Sequence, residues 1–227
     1  STMNSSSKLR SLAIAPSNNE VLYAADPYSI WKTVDGGDNW TDISSGLPSN
    51  TITYIAIKHD DPNTAWVTLG DYDTNGIYET TDGGTSWTNI SSGLPELPVL
   101  TVVQNKLSVN EVHLYVGTAA GVYLKIGDNQ WESYNTNLPG VYMGELEIYY
   151  DQSYVYNSCI YAATYGRGLW KSPLFMELQN PPAVSTSSAT NIEETSAELN
   201  ANISGDYGSV VTESGFILGT IESIDYE

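Results

Sequence analysis

Basic side chains are scarce: Lys and Arg number 8 against 27 Asp and Glu in 227 residues, a formal net charge of −19. Binding nucleic acid requires clustered cations to neutralise phosphates, and the few present here are scattered along the chain, so that class is excluded. The same deficit speaks against an anionic membrane surface. No apolar run approaches the roughly 20 residues that cross a bilayer, so no membrane insertion is expected. Cys159 is the only cysteine. That rules out an internal disulfide framework and any multi-cysteine metal site. Followed by an apolar strand, it reads as a buried, inert thiol. His59 and His113 have no partner at metal-ligand spacing. No apolar stripe of helical period is sustained, so helices are not expected, and no glycine-rich loop opens a helix to hold a nucleotide.

What the chain has is repetition. Thr33-Val34-Asp35-Gly36-Gly37-Asp38-Asn39-Trp40 recurs as Thr80-Thr81-Asp82-Gly83-Gly84-Thr85-Ser86-Trp87, and both run on to a Ser-Ser-Gly-Leu-Pro segment, at an offset of 47 residues. An eroded third copy, Lys125-Ile126-Gly127-Asp128-Asn129-Gln130-Trp131, follows 44 residues later. Upstream of each lies an apolar pair, Ile30-Trp31, Ile77-Tyr78 and Val122-Tyr123, with a fourth at Leu169-Trp170. A fixed period of about 45 residues signals a solenoid or a propeller. Each unit holds short β-branched and aromatic runs between Gly, Pro, Asn and Asp clusters, which is the content of a propeller blade. The strands expected are 12–15, 21–25, 29–34 and 39–43; then 52–58, 65–69, 77–81 and 87–90; then 100–104, 113–116, 122–126 and 130–134. The fourth unit offers only three, 145–150, 160–164 and 169–171, before a proline. The expectation is an all-β chain: a β-propeller segment of about four blades, the last without its outer strand, plus an incomplete β-sandwich module.

The two full copies fit S/T-x-D-x-G-x-x-W and so resemble the Asp-box, or bacterial neuraminidase repeat, of sialidases, sortilin-type propellers and some endoglucanases. The longer pattern from Gly93-Leu94-Pro95 to Ala163-Thr164-Tyr165-Gly166-Arg167-Gly168-Leu169-Trp170 resembles the last blades of secreted, multi-domain surface proteins of Bacteroidetes, often glycosyl hydrolase-like and exported by the type IX system. The resemblance implies that the boxes are structural and lie between third and fourth strands, away from the ligand face. The residues themselves suit that work. Gly37 and Gly84 allow backbone angles that other residues resist. Asp35 and Asp82 can accept turn amides. Trp40 and Trp87 can bury a large face between blades.

In an up-and-down blade the opposite side is built by the second-to-third turns and the connectors between blades. There the sequence places Tyr28, Tyr72, Asp73, Tyr142, Tyr165 and Arg167, candidate residues for a carbohydrate- or protein-binding rim. The alternative is that Tyr28, Tyr72 and Tyr165 merely pack on adjacent connectors. Sialidase chemistry, as the resemblance would have it, needs three arginines; the chain has only Arg10 and Arg167. Hydrolysis of a glycoside by two carboxylates would draw on Asp73 and Glu145 as weak candidates among many acids. Asp71-x-Asp73-x-Asn75-Gly76 fits the first half of a Ca²⁺ loop, making Asp71, Asp73 and Asn75 candidate ligands, although a strand follows instead of a helix. No other cofactor is expected.

Residues 177–182, with two prolines, read as a linker after a propeller segment at 1–176. From residue 183 onward the alternation of 195–203 and the run 213–220 read as strands, and the segment resembles the first half of a fibronectin type III-like sandwich. Both ends look cut. The expected whole is a longer secreted or cell-surface bacterial protein, with the missing outer strand supplied from upstream of Ser1; a self-contained four-blade ring is the alternative. The function expected is non-catalytic binding or scaffolding, with a glycan or protein at the cell surface and the rest of its own chain as partners. The rival readings are a glycoside hydrolase-like propeller whose catalytic residues lie partly elsewhere, and a sortilin-like binder of peptide tails.

Overall fold

The computed structural model describes residues 3, 7–108, 110–153, 157–175, 183–205 and 215–216, and these form strands and turns with no α-helix. The chain divides into two compact units, Ser1–Leu174 and Phe175–Glu227.

The first unit is a partial β-propeller of four antiparallel sheets. The first sheet is β1 (Ser11–Ala15), β2 (Asn18–Ala25), β3 (Ile30–Thr33) and β4 (Thr41–Asp42), in that order. The second is β5 (Ile52–Ile57), β6 (Ala65–Leu69), β7 (Ile77–Thr80) and β8 (Thr88–Asn89). The third is β9 (Val99–Asn105), β10 (His113–Thr118), β11 (Gly121–Ile126) and β12 (Glu132–Ser133). The fourth has three strands, β13 (Met143–Tyr149), β14 (Cys159–Thr164) and β15 (Gly168–Pro173). The innermost strands β1, β5, β9 and β13 neighbour one another in chain order. Strands β6 and β10 are buried along their whole length, because a blade flanked by two others is covered on both faces. The outer strands are shorter than the sequence suggests. Each is two residues long, and in the second and third blades the tryptophan just before it turns onto the preceding blade.

The cores lie between blades. Between the first two, Tyr23, Ile30 and Ile43 meet Ile55, Val67 and Leu69. Between the second and third, Trp66 and Ile77 meet Val102, Leu114 and Val116 around Trp131. Cys159 is buried, as its sequence context implies. At the two ends the pattern is uncovered: Leu12 and Ile14 of the first blade are 59% and 55% exposed, and Leu169 of the fourth is 67% exposed. The described blades therefore form an open arc, not a closed four-blade ring.

The second unit contributes an antiparallel pair, β16 (Ala183–Thr190) and β17 (Glu198–Gly205), with Val184 opposite Ile203 and Thr186 opposite Ala201. Asn191 takes a left-handed φ of 49° at the turn. The expected linker at 177–182 lies outside the described residues, as does the expected strand at 213–220 apart from Gly215 and Phe216.

Candidate functional site

Hydrogen bonds sort the turns into two sides. On one side the third-to-fourth turn of each full blade binds its own first-to-second turn: Gly36 N–H donates to Glu20 O at 2.9 Å, Gly83 N–H to Asn63 O at 2.8 Å and Gly127 N–H to Val112 O at 2.9 Å. On the other side the second-to-third turns bind the connectors. Ile52 N–H donates to Pro27 O at 2.8 Å, Ala119 N–H to Pro98 O at 3.0 Å and Tyr165 N–H to Tyr142 O at 2.9 Å.

The first side holds the repeated aspartate turns. Asp35 Oδ1 accepts from Thr33 Oγ1 at 2.7 Å and from Asn39 N–H at 2.8 Å, and Oδ2 accepts from Asn39 Nδ2 at 2.8 Å. Asp82 repeats this with Thr80 Oγ1, Ser86 N–H and Ser86 Oγ at 2.8, 2.9 and 2.6 Å. These donors hold both carboxyls at a pKa of about 2, Thr33 leading for Asp35 and Ser86 for Asp82. Gly37 and Gly84 sit at φ of 106° and 91°, a region that demands glycine. Trp87 and Trp131 reach back to the preceding blade, donating Nε1–H to Ile43 O at 2.8 Å and Ile90 O at 2.7 Å. Trp40 differs: its Nε1–H donates to Gly37 O of its own turn at 3.0 Å.

The second side carries the candidate binding residues. Tyr28, Tyr72, Tyr142 and Tyr165 are 68%, 74%, 46% and 83% exposed. Tyr28, Tyr72 and Tyr165, which the alternative reading would pack on the connectors, thus expose most of their surface to solvent. Their backbones are nevertheless fixed. Asp26, buried, accepts from Tyr28 and Ser29 N–H at 2.9 Å each. Tyr142 and Tyr165 are joined through their backbones, and exposed Arg167 follows in the same turn. Tyr72 lies between Asp71 and Asp73 in the second blade. Beside it a depression of about 210 Å³ is lined by Asp73, Thr74, Asn89, Leu94 and Glu96.

The Asp71–Asn75 loop spends its oxygens internally. Asp71 Oδ2 accepts from Thr51 N–H at 2.6 Å, and Asp73 accepts from Asn50 Nδ2 at 2.6 Å and Asn75 N–H at 2.8 Å. Asn75 Oδ1 accepts from Tyr78 O–H at 2.9 Å. The Asn50 bond leads in holding the Asp73 carboxyl below its ordinary pKa. Among the described residues no group of three or more His, Cys, Asp and Glu could hold a metal ion.

Asp73 and Glu145 fall into separate hydrogen-bonded groups. Glu145 lies on inner strand β13, where its Oε1 accepts from Thr101 Oγ1 of β9 at 3.0 Å. Burial first, and then the charge and hydrogen bond of Glu145, push the phenol of Tyr54 on β5 well above the usual tyrosine range. Tyr54, Thr101, Glu145 and Glu147 thus form a polar cluster across three inner strands. Tyr54 and Thr101 went unnoticed in the sequence, where residues 44 to 47 apart carry no local sign of meeting.

No protein-family model matches the sequence, and no curated protein matches it. Solved structures do resemble it in fold. An ancestral GH74 enzyme superposes with a TM-score of 0.57 at 18% identity, over 73% of this chain and 23% of that one. The GH74 enzyme of Niastella koreensis gives 0.51 at 19% identity, over 71% of this chain and 29% of the other. The β-propeller domain of Cps50 (Swd1) from Myceliophteria thermophila gives 0.53 at 11% identity, over 88% and 60%. The chain spans about a quarter of the length of the two GH74 enzymes. Geometry and likeness together define a β-propeller built of antiparallel blades.

Proposed function

We propose that residues 1–176 are an Asp-box β-propeller segment of a larger secreted or cell-surface bacterial protein, that it binds without catalysis, and that its ligand is a carbohydrate or a protein at the cell surface. In this reading residues 183–227 belong to a fibronectin type III-like module joined by 177–182. The observation that supports it is the set of tyrosines Tyr28, Tyr72, Tyr142 and Tyr165, ring-exposed on backbone-anchored turns of one side. An exposed aromatic on a fixed turn offers a flat apolar face at little entropic cost, and its phenol adds a hydrogen bond. Glu96, which lines the depression beside this loop, supplies an acceptor for sugar hydroxyls. A net charge of −19 repels acidic polymers and favours a neutral glycan or a basic peptide.

The test is affinity electrophoresis through neutral soluble polysaccharides, with a peptide array alongside. Retardation by a glycan, weakened by Tyr72→Ala and Tyr165→Ala with an unchanged Tm, supports the reading. Free migration through every polysaccharide together with a blank peptide array overturns it. A second reading, part of a glycoside hydrolase-like propeller, draws on the likeness to GH74 enzymes and on the Tyr54–Thr101–Glu145–Glu147 cluster. It requires reducing ends to be released from a polysaccharide by the chain, and Glu145→Gln to stop the release.

A further inference from the structure

The three junctions between blades are built from equivalent positions, and one is incomplete. In the first, Ile30, Ile43 and Leu47 face Ala65, Val67 and Tyr78, and Trp87 packs among them. In the second, Ile77, Ile90 and Leu94 face Leu114, Val116 and Tyr123, and Trp131 packs among them. In the third, the corresponding residues Val122, Tyr134, Leu138, Ile160, Ala162 and Trp170 line a cavity of about 40 Å³ that opens to solvent. The tryptophans that complete the first two junctions each precede the outer strand of the following blade, and the fourth blade has no such strand among its described residues.

The strand edge beside the cavity is laid out like its counterparts. In each full blade the apolar residue of the third strand binds the outer strand twice. Its carbonyl accepts an N–H: Ile30 O from Ile43, Ile77 O from Ile90 and Val122 O from Tyr134. Its N–H donates to the next side chain: Ser44 Oγ, Ser91 Oγ and Asn135 Oδ1 at 2.9, 2.9 and 2.6 Å. Leu169 holds that position in β15, opposite Ala163 just as Val122 is opposite Gly117. The backbone before Leu138 also keeps the form needed around a tryptophan. Asn137 has φ of 62°, matching Gly46 at 95° and Gly93 at 97°.

We propose that this third junction is a docking socket for an extended peptide segment of the form Trp-x-x-Ile-Ser, preceded by an Asp-Gly turn. The indole packs over the open mouth of the cavity, and its N–H donates to the carbonyl of Tyr134, as Trp87 and Trp131 donate to Ile43 and Ile90. The segment adds to β15 as an antiparallel fourth strand. The register follows from Tyr78 opposite Asn89 and Tyr123 opposite Ser133: Trp170 lies opposite the second residue after the incoming tryptophan. Main-chain bonds supply affinity and the tryptophan pocket supplies selectivity. The socket lies in the cleft between two blades and does not depend on the proposed glycan or protein site.

The probe is a synthetic peptide with the sequence of residues 80–92, added to the full chain. Binding is followed by titration calorimetry and by methyl NMR shifts. The expected result is saturable binding in the micromolar range, with shifts at Val122 and Ile160. The peptide carrying Trp87→Ala binds at least about tenfold more weakly. In the protein, Ala162→Phe fills the socket and weakens the parent peptide by a similar factor; the peptide variant provides the same discrimination without asking a protein variant to fold. Equal affinity of both peptides, absence of binding, or shifts confined to other junctions overturns the proposal. So does self-association of the chain through this edge with no peptide uptake, which would assign the socket to a second copy.

Discussion

The indole of Trp87 donates to the backbone carbonyl of Ile43 across the boundary between the first two blades, at 2.8 Å. Trp131 makes the same bond to Ile90 at 2.7 Å, and at 3% exposure it is the more deeply buried of the two. One side chain thus closes a junction by packing and by satisfying a carbonyl at the end of a two-residue strand. Trp131→Ala is expected to cost about 3–5 kcal/mol, the range for deleting a buried aromatic. Trp131→Phe keeps most of the packing and loses the bond, a smaller cost of about 1–2 kcal/mol. Urea denaturation measures both. Equal losses would mean that the hydrogen bond, not the packing, holds the blades.

Gly84 and Gly166 separate backbone strain from crowding. Their φ values are 91° and 75°, both left-handed. A Cβ on Gly84 would lie 2.5 Å from Ile43 Cδ1 and 2.8 Å from Ile43 Cβ, whereas one on Gly166 would meet nothing within 4 Å. Gly166→Ala should therefore cost only the left-handed strain, about 1–2 kcal/mol. Gly84→Ala adds overpacking against the preceding blade, about 1–3 kcal/mol more. Thermal melts of the two variants decide; a smaller effect at Gly84 would contradict the observed contact.

Acid should loosen the aspartate turns in a defined window. Asp35 and Asp82 titrate at about 2 in the folded chain against an ordinary 3.8. A carboxyl depressed by folding contributes stability that is present above the unfolded value and is lost as the pH falls through the folded one. Their contribution is thus complete above pH 4 and gone near pH 2. The double variant Asp35→Asn, Asp82→Asn should be less stable than the parent at neutral pH, with the gap closing across that window. Urea midpoints at a series of pH values test this. A gap that stays constant with pH would mean that shape, not charge, is the aspartates' contribution.

Much of this was legible before any coordinates. Tryptophan spacing revealed the blades, and β-branched and aromatic runs between turn residues located their inner strands to within a residue or two, because both follow from local pattern. The turn sides followed from up-and-down connectivity alone. The polar cluster of Tyr54, Thr101 and Glu145 was not legible, since it joins three inner strands whose mutual approach is set by the whole arc. Nor could the bond of Trp40 to its own turn be foreseen. β16 was hidden by its Ser and Thr content, which reads as loop. The exposure of Tyr28, Tyr72 and Tyr165 likewise depends on how far each turn projects.

Calcium offers a sharper check on the Asp71–Asn75 loop. Its carboxylates already accept from Thr51 N–H, Asn50 Nδ2 and Asn75 N–H, so a cation would compete with bonds that fix the connector. The expected Tm is the same in millimolar Ca²⁺ and in EDTA. Asp73→Ala should lower stability by about 1 kcal/mol in either condition. A rise in Tm on adding Ca²⁺, abolished by Asp73→Ala, would restore the cation reading.

The repeat provides its own control for the arc. Ile30, Ile77, Val122 and Leu169 occupy one position in four blades; the first three are at most 3% exposed, and Leu169 is 67% exposed. All four pair with the second strand of their blade, and the first three also bind an outer strand, so a difference in mutational cost reports whether an outer strand and a further blade cover the position. Ile77→Ala should cost about 2–5 kcal/mol through lost burial and a cavity. Leu169→Ala should fall within about 0.5 kcal/mol of the parent, as surface substitutions do. Because Leu169 keeps its backbone bonds in either form, peptide docking on β15 should survive the change. A large loss of stability at Leu169 would mean that in solution its side chain is covered after all, and the open arc would have to be given up.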